Sequence, residues 1–351
     1  MPRLKRCGHF VSDSQMKTVS VPWSKEHYHL RDGKVRWRGY EVKGADPRTF
    51  EPLNHIWARD AKRVYTQHSV NRLADRTTFD VLNYIFAKDK SRVFYLSGWV
   101  KEADAASFRV LDRGRILGSG LCEKHSDQDW AYRYKGYGKD NAHVFHYVLT
   151  IGKPSVVRGA DPDTFEPAGR GYARDRNHVY YESNKVKACD PHAVVFWNDY
   201  FCGDAKNVYY LTEAIPGADR ISFEVIGGMA AKDGQRVYLR SSVIADAKPA
   251  TFRLVTDGCD FIGSDGTNVF FHGEKTSGVD APTFEALGAN YFRDKFQVAY
   301  HGGTAANPIA SLRVIPEADA ATFKVIDATG KAADAQSIYE NGNRVGPRPP
   351  A

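Results

Sequence analysis

The chain has 351 residues and a formal net charge of +7, and 13% of its residues are aromatic. It contains no run of 18 consecutive apolar residues, so the sequence predicts no transmembrane segment. Its five cysteines lie at irregular positions without a C-x-x-C pair, which excludes the usual disulfide and zinc frameworks and is typical of a reducing compartment.

The chain begins with a basic segment, residues 1–27, which we expect to form an N-terminal cap. Residues 1–110 hold 21 Lys and Arg against 12 Asp and Glu, a balance of +9, whereas the other residues sum to −2. No apolar run follows the first positive charges, so the segment lacks the pattern of a signal peptide. We therefore expect a cytoplasmic protein, or a periplasmic one if a signal peptide has been removed.

From residue 28 to residue 345, one phrase recurs about every 29 residues. It reads Asp-x-x-x-Val-Tyr-Tyr at residues 175–181 and 204–210. Its first residue stands at Asp32, Asp60, Asp89, Asp140, Asp175, Asp204, Asp233, Asp265, Asp294 and Asp334. Such a period predicts a single array of about ten copies, with insertions near 113–134 and 299–314 and a disordered tail at 346–351.

The first phrase predicts a turn followed by a β-hairpin. Asp side chains accept hydrogen bonds from backbone N–H groups just ahead of them, so the Asp opens a tight turn. Val-Tyr-Tyr is β-branched and aromatic and favours a half-buried strand. A short return strand such as residues 185–187 completes the hairpin.

A second phrase alternates with the first and reads Gly-Ala-Asp-Pro-Arg-Thr-Phe at residues 44–50. Asp46 suits an N-cap and Pro47 the first helical position, so we expect one turn of helix. The hydrophobic residue that ends the phrase is predicted to be buried in every copy. These residues are Phe50, Phe79, Phe108, Phe165, Val194, Phe223, Phe252, Phe284 and Phe323.

The predicted fold is therefore all-β: tandem β-hairpin repeats of about 29 residues, stacked as a curved solenoid or superhelix. A β-propeller-like closure is the alternative. It is less favoured, because propeller blades usually need about 40 residues or more.

Three segments resemble the bacterial DKNYY repeat family. They read Tyr-Ala-Arg-Asp-Arg-Asn-His-Val-Tyr-Tyr at 172–181, Phe-Ala-Lys-Asp-Lys-Ser-Arg-Val-Phe-Tyr at 86–95, and Tyr-Phe-Cys-Gly-Asp-Ala-Lys-Asn-Val-Tyr-Tyr at 200–210. The resemblance implies an all-β bacterial repeat protein and supplies no catalytic residues. Some similar proteins are encoded beside toxins of type VI or contact-dependent secretion systems, which implies an immunity protein.

Two patterns could bind metal, and each has a simpler interpretation. The repeated aspartates could hold Ca²⁺, which needs six to eight oxygen ligands, but each copy offers only one Asp with an occasional Asn. His27 with His29, and His143 with His146, could start a zinc site, but neither pair has a third ligand at a diagnostic spacing. We therefore interpret the aspartates as turn caps and expect no metal or cofactor.

Enzyme motifs are missing from the sequence: it has no Gly-x-Ser-x-Gly, no His-Glu-x-x-His and no phosphate-binding Gly-x-x-x-x-Gly-Lys loop. We expect a protein without enzymatic activity, with an unrecognised hydrolase as an alternative. Basic and aromatic residues alternate at 36–38, as on stacking platforms for single strands, but half-buried hairpins show the same alternation, so we do not expect a nucleic acid partner. Cys189 and Cys202 could form a disulfide or remain buried thiols.

The insertion at 113–134 breaks the repeat, and residues there are freer to contact a partner. Trp, Tyr and charged side chains of the kind it contains are typical of interface hot spots. The candidate partner-binding residues are Arg36, Trp37, Arg38, Glu123, His125, Asp127, Asp129, Trp130 and Tyr132. We predict a monomeric, protein-binding immunity protein that neutralises a secreted toxin. An envelope or scaffold module for carbohydrate or peptide is the alternative.

Overall fold

The computed structural model describes residues 27–96, 98–114, 116–117, 132–256, 261–302 and 312–349. These residues form an all-β protein without helices, built from nine four-stranded sheets, one three-stranded sheet and one two-stranded sheet. Contacts divide the chain into two compact units. The first comprises residues 1–116 and 133–156, and the second comprises residues 117–132 and 157–351.

The first unit contains four of the larger sheets. Their strands are β1 (Tyr28–Arg31), β2 (Lys34–Trp37), β3 (Tyr40–Glu41); β4 (Glu51–Pro52), β5 (Trp57–Arg59), β6 (Val64–Thr66), β7 (Ser69–Val70); β8 (Asp80–Val81), β9 (Ala87–Lys88), β10 (Val93–Tyr95), β11 (Gly98–Val100); and β12 (Arg109–Val110), β15 (Lys135–Lys139), β16 (Val144–Val148), β17 (Ser155–Val156). The two-stranded sheet consists of β13 (Ile116–Leu117) and β14 (Tyr132–Arg133).

The second unit contains six four-stranded sheets. Their strands are β18 (Glu166–Gly169), β19 (Tyr172–Arg174), β20 (Val179–Tyr181), β21 (Asn184–Val186); β22 (Val195–Phe196), β23 (Phe201–Gly203), β24 (Val208–Tyr210), β25 (Glu213–Ala214); β26 (Glu224–Gly227), β27 (Ala230–Lys232), β28 (Val237–Leu239), β29 (Ser242–Val243); β30 (Arg253–Thr256), β31 (Ile262–Ser264), β32 (Val269–Phe271), β33 (Glu274–Thr276); β34 (Glu285–Gly288), β35 (Tyr291–Arg293), β36 (Val298–Tyr300), β37 (Arg313–Val314); and β38 (Lys324–Val325), β39 (Lys331–Ala333), β40 (Ser337–Glu340), β41 (Asn343–Pro347).

Each four-stranded sheet is an antiparallel meander centred on one hairpin. In the first sheet of the second unit, Ala173 of β19 lies opposite Tyr180 of β20, and Tyr180 lies opposite Lys185 of β21. The turn between β19 and β20 contains Asp175, the first residue of the repeated phrase. The predicted all-β array of stacked antiparallel hairpins is confirmed.

The core lies between successive sheets, as the two faces of the sheet formed by β18–β21 show. On one face the Tyr172 ring is 5.1 Å from Phe196 of the next copy, and the Tyr172 hydroxyl donates to the carbonyl oxygen of Tyr200 at 2.8 Å. On the other face Tyr180 packs at 5.5 Å on Phe165, which ends the preceding second phrase. A copy therefore completes its core only with its neighbours.

The residue that ends the second phrase is buried in six of the nine copies, so the predicted burial in every copy holds only in part. It is buried at Phe79, Phe108, Phe165, Phe252, Phe284 and Phe323, and half-buried at Phe50, Val194 and Phe223. The second phrase forms a turn and not a helix, so the predicted helical turn is wrong. Asp46 does accept from the Arg48 N–H at 3.1 Å, as an N-cap would, but the segment ends as a single turn because β4 starts directly after Phe50.

The first copy departs from the others. Asp32 and Gly33 form a two-residue hairpin turn with φ values of 53° and 71°, so Asp32 is exposed and is not one of the turn-capping aspartates. His29 and Arg36 stand where the second copy has the buried Ala58 and Tyr65. Both side chains are half-buried, so the first copy places a histidine and an arginine where the second copy packs an alanine and a tyrosine.

The C-terminal end of the array differs from its predicted boundary. Gly346 and Pro347 belong to β41 and pair with Ile338 and Ser337, so the predicted disordered tail does not begin at 346. Residues 118–131 and 303–311, the larger parts of the two predicted insertions, lie outside the described residues, as does the predicted cap up to residue 26.

Candidate protein-binding site

The repeated aspartate is satisfied by hydrogen bonds within the protein. Asp60 Oδ1 accepts from the backbone N–H groups of Lys62 and Arg63, both at 2.7 Å. Asp60 Oδ2 accepts from the Asp46 N–H at 3.1 Å and from the Tyr65 hydroxyl at 2.6 Å. The carboxylate therefore joins the turn, the following strand and the second phrase, and its oxygens face donors rather than a cation.

The same arrangement recurs along the chain, which confirms the interpretation of the aspartates as turn caps. A tyrosine hydroxyl donates to the carboxylate in the pairs Asp60–Tyr65, Asp175–Tyr180, Asp204–Tyr209, Asp233–Tyr238 and Asp334–Tyr339. Burial alone would raise the pKa of Asp233, but donors from Tyr238 and three backbone N–H groups outweigh it and hold that pKa below its usual value. The carboxylate stays ionised at neutral pH.

Among the described residues, no three His, Cys, Asp or Glu side chains form a group suited to a metal ion. His27 is buried beside Trp37, with ring centroids 6.3 Å apart, whereas His29 lies opposite Arg36 on the neighbouring strand. The buried His146 ring has its centroid 4.7 Å from that of Tyr137, and His143 Nδ1 lies 3.7 Å from Asp140 Oδ1. His27 and His146 thus lie beside aromatic rings, and His29 and His143 lie beside charged side chains.

The other end of the sheets has different chemistry. At this end, the turn between the last two strands of a sheet meets the segment that precedes its central hairpin. The Gln67 N–H donates to the Ile56 carbonyl oxygen at 2.6 Å, and the Arg38 N–H donates to the His27 carbonyl oxygen at 2.7 Å. Arg38 and Gln67 have positive φ values of 47° and 56°. We call this end of the sheets the hairpin edge.

Aromatic and imidazole rings form a continuous cluster along the hairpin edge of the first unit. The ring cluster comprises Tyr40, His68, Trp37, His27, His55, Tyr84 and Tyr134. Successive centroids are separated by 5.4 Å (Tyr40–His68), 6.1 Å (His68–Trp37), 6.3 Å (Trp37–His27), 5.8 Å (His27–His55), 5.4 Å (His55–Tyr84) and 5.0 Å (His55–Tyr134). Tyr40 and His68 are exposed and Trp37, Tyr84 and Tyr134 are half-buried, whereas His27 and His55 are buried beneath them.

Trp37 and Arg38 lie at the centre of this cluster. The Trp37 indole N–H donates to the His55 carbonyl oxygen at 2.8 Å, which fixes the ring. The Arg38 guanidinium lies 5.3 Å from the Trp37 ring centroid and 2.5 Å from His27 Nε2. Tyr40 is 64% exposed, so the cluster reaches the solvent at this end.

The second unit offers a related but differently charged hairpin edge. Tyr200 stacks on Tyr210 with centroids 6.2 Å apart and an interplanar angle of 10°. Asp199 lies 3.9 Å from Arg170, and burial together with the nearby Glu182 carboxylate raises the pKa of Tyr181. This edge mixes both signs of charge, whereas the ring cluster and Arg38 contribute only neutral and cationic groups.

The family model for the DKNYY family matches three overlapping segments of the chain, residues 27–184, 147–303 and 201–345. The chain belongs to the DKNYY family. The predicted resemblance is thereby confirmed. No curated protein and no solved structure matches the chain. In the part of the chain that the structure describes, no helix is long and apolar enough to cross a membrane.

The residues predicted for partner binding in this DKNYY protein fall into three groups. Trp37 and Arg38 lie together in the ring cluster. Arg36 lies on the opposite face of β2 from Trp37, in register with His29 and Glu41, and does not join them. Residues 123–130, which include Glu123, His125, Asp127, Asp129 and Trp130, lie outside the described residues, and Tyr132 is described only as part of β14.

Sequence reasoning missed Tyr40, His55, His68, Tyr84 and Tyr134. A signal for part of the set was available, because His27, His55 and Tyr84 follow each other at 28 and 29 residues, which is the period of the repeat. In a stacked array, residues one period apart lie above one another. A comparison of the variable positions between copies would have identified this column of rings.

Proposed function

We propose that this protein is a non-enzymatic binding protein, an immunity protein that neutralises a bacterial toxin, and that the ring cluster with Arg38 is its contact surface. The observation that supports this most is the division of chemistry between the two ends of the sheets. The repeated Asp and Tyr groups are engaged in holding each turn to the preceding second phrase, as Asp60 is by the Asp46 N–H and Tyr65 by the Gly44 carbonyl oxygen. The proposed contact groups lie at the other end of the sheets, at the hairpin edge.

The composition of the ring cluster suits a protein partner. Trp, Tyr and Arg are the side chains that dominate binding energy in interfaces. Trp37 is already oriented by its bond to the His55 carbonyl oxygen and by the Arg38 guanidinium. A preorganised surface loses little side-chain entropy on binding, so more of the contact energy remains as affinity.

The charge of the surface indicates which partner it prefers. Arg38 and His68 are exposed, and no member of the ring cluster is a carboxylate. Such a surface favours a toxin surface with Asp and Glu side chains near apolar groups. Occluding the active site of a toxin in this way requires no chemistry from the immunity protein.

The test is a growth-rescue assay against the products of the open reading frames that flank this gene in its host, combined with a binding measurement on each purified pair. We expect the wild-type chain to restore growth and to bind directly. The double variant Arg38→Glu/Tyr40→Ala should lose both, whereas Tyr210→Ala, on the hairpin edge of the second unit, should retain both. Failure of the wild-type chain to bind or rescue would refute the immunity proposal. Full rescue by the double variant would refute the assigned surface.

A scaffold function for carbohydrate or peptide is supported by the stacked Tyr200 and Tyr210 rings, which form a half-exposed aromatic platform. Under this alternative, titration calorimetry with cell-wall glycan fragments should give binding that Tyr210→Ala abolishes and Tyr40→Ala leaves intact. The opposite pattern, or no heat of binding, would contradict it.

A further inference from the structure

Two small side chains occupy equivalent positions in successive copies. One precedes the Asp of the second phrase and the other lies in the second strand of the next sheet, 13 or 14 residues further on. Both are alanine in the pairs Ala45/Ala58, Ala74/Ala87, Ala160/Ala173, Ala218/Ala231 and Ala318/Ala332. Four of these pairs lie within a common core cluster. The position is thus a close contact between the second-phrase turn and the following sheet.

In one copy, both members of the pair are cysteine. Cys189 and Cys202 are 13 residues apart and lie in the same core cluster, together with Tyr172, Val179 and Tyr209. Cys189 is 7% exposed and Cys202 is fully buried, and neither is joined in a disulfide. One thiol therefore lies against the other inside the second unit.

The backbone around the two cysteines is held in place by contacts that do not involve sulfur. The Asp190 N–H donates to Asp204 Oδ2 at 3.2 Å, and the Tyr209 hydroxyl donates to the Ala188 carbonyl oxygen at 2.9 Å. Tyr209 lies opposite Cys202 in the sheet. The residues on both sides of Cys189 are thus fixed to the strands around Cys202, so a bond between the sulfurs would add to an existing contact.

We propose that Cys189 and Cys202 form a disulfide when the chain folds in the presence of a disulfide oxidant such as oxidised glutathione. Each thiol loses its proton, and the two sulfur atoms join. The two electrons pass to the disulfide of the oxidant, which is released as two thiols. The bond cross-links the second-phrase turn to the following sheet and is independent of the proposed binding function.

The surroundings of the pair determine when this bond forms. Thiol exchange requires a thiolate. The hydrogen bond with Cys202, together with burial, raises the pKa of the Cys189 thiol, so the folded, reduced protein reacts slowly. Oxidation therefore takes place during folding, before the strands close, and the finished bond is shielded from reductants. By closing a short loop it restricts the unfolded chain and stabilises the native one.

The experiment uses the wild-type chain, refolded from urea in parallel with oxidised glutathione and with dithiothreitol, then alkylated and digested with trypsin. Cleavage after Lys187 and Lys206 releases both cysteines in one peptide, residues 188–206, so other cysteines do not complicate the result. We expect the oxidised sample to give a peptide lighter by two hydrogen atoms that accepts no alkyl group until it is reduced. Two alkylated cysteines, or glutathione on each, would overturn the proposal.

Stability gives the second measurement. The oxidised chain should unfold at a higher urea concentration than the reduced chain. The matched control is Cys189→Ala/Cys202→Ala, which restores the alanine pair of the other copies and should fold with a midpoint that does not respond to oxidant. If oxidation leaves the wild-type midpoint unchanged or lowers it, the cross-link has no structural role and the inference fails.

Discussion

The turn-capping aspartate gives the most informative perturbation, and Asp233→Ala is the variant of choice. Asp233 is 4% exposed and accepts from the N–H groups of Gln235 at 2.8 Å, Arg236 at 2.7 Å and Asp219 at 3.0 Å, and from the Tyr238 hydroxyl at 2.6 Å. Removing the carboxylate deprives four donors of a charged acceptor. Since water can reach some of them, we expect a loss of about 3–5 kcal/mol in the free energy of unfolding.

Tyr238→Phe is the matched control, because it removes one donor and leaves the carboxylate bonded to three backbone N–H groups. The chain already has Phe at this position in the copies of Asp89, Asp140 and Asp265. We therefore expect a loss of only about 1 kcal/mol. Urea unfolding followed by circular dichroism gives both values. Amide hydrogen exchange of the adjacent copies shows whether the loss spreads, as it should in a stacked array.

Unfolding of Asp233→Ala at the wild-type urea concentration would refute this role, since the carboxylate would then be a surface group without a structural function. An equal cost for Tyr238→Phe and Asp233→Ala would refute it too, because the hydroxyl would then be the main element of the turn.

Three further predictions concern acid and packing. In the folded state, hydrogen bonds outweigh burial and hold the pKa values of Asp60, Asp175 and Asp204 low. The stability that these carboxylates contribute is therefore present above about pH 4, the usual range of a free Asp, and is lost as the pH falls below it. A urea midpoint that does not fall between pH 7 and pH 3 would contradict this. Burial lowers the pKa of His146 to about 3, so the native state also loses stability as the pH falls from about 6.5 towards that value. His146→Phe should therefore reduce the loss of stability between pH 6.5 and pH 4.5. An identical pH profile for the variant would exclude this role. A methyl group at Gly263 would overlap the Phe252 ring, so Gly263→Ala should lower the free energy of unfolding by about 1–3 kcal/mol. The control is Gly266→Ala, which has open space for the methyl group but a φ of 81°, so it reports the backbone strain alone. Equal losses for the two variants would mean that the Phe252 contact is unimportant.

The repeat and its hairpins could be predicted because local rules determine them. Asp175 opens a turn and Val179 to Tyr181 favour a strand in any context, and the period of the phrase is visible in the sequence itself. The helical turn failed for a related reason. Asp46 satisfies the rules for a helix start, but the Glu51–Arg59 pairing of the sheet determines where the turn ends.

The ring cluster could not be predicted in the same way, because its members come from different copies. Trp37 and His55 meet through a hydrogen bond between adjacent sheets, and Tyr134 reaches His55 only through the strand that follows the 113–134 insertion. Such contacts depend on how sheets stack. The alternation along β2 likewise separates Arg36 from Trp37, although they are neighbours in sequence.

The central claim is that the repeated phrase builds the scaffold and that the hairpin edge of the first unit binds the partner. Its most direct test is the affinity of Arg38→Glu/Tyr40→Ala for the toxin partner proposed above, measured by titration calorimetry beside the unfolding midpoint of the same variant. We predict an affinity loss of at least about thirtyfold, which corresponds to the removal of one hot-spot contact, with an unchanged midpoint. An unchanged affinity, or one that falls only together with the midpoint, would contradict the claim.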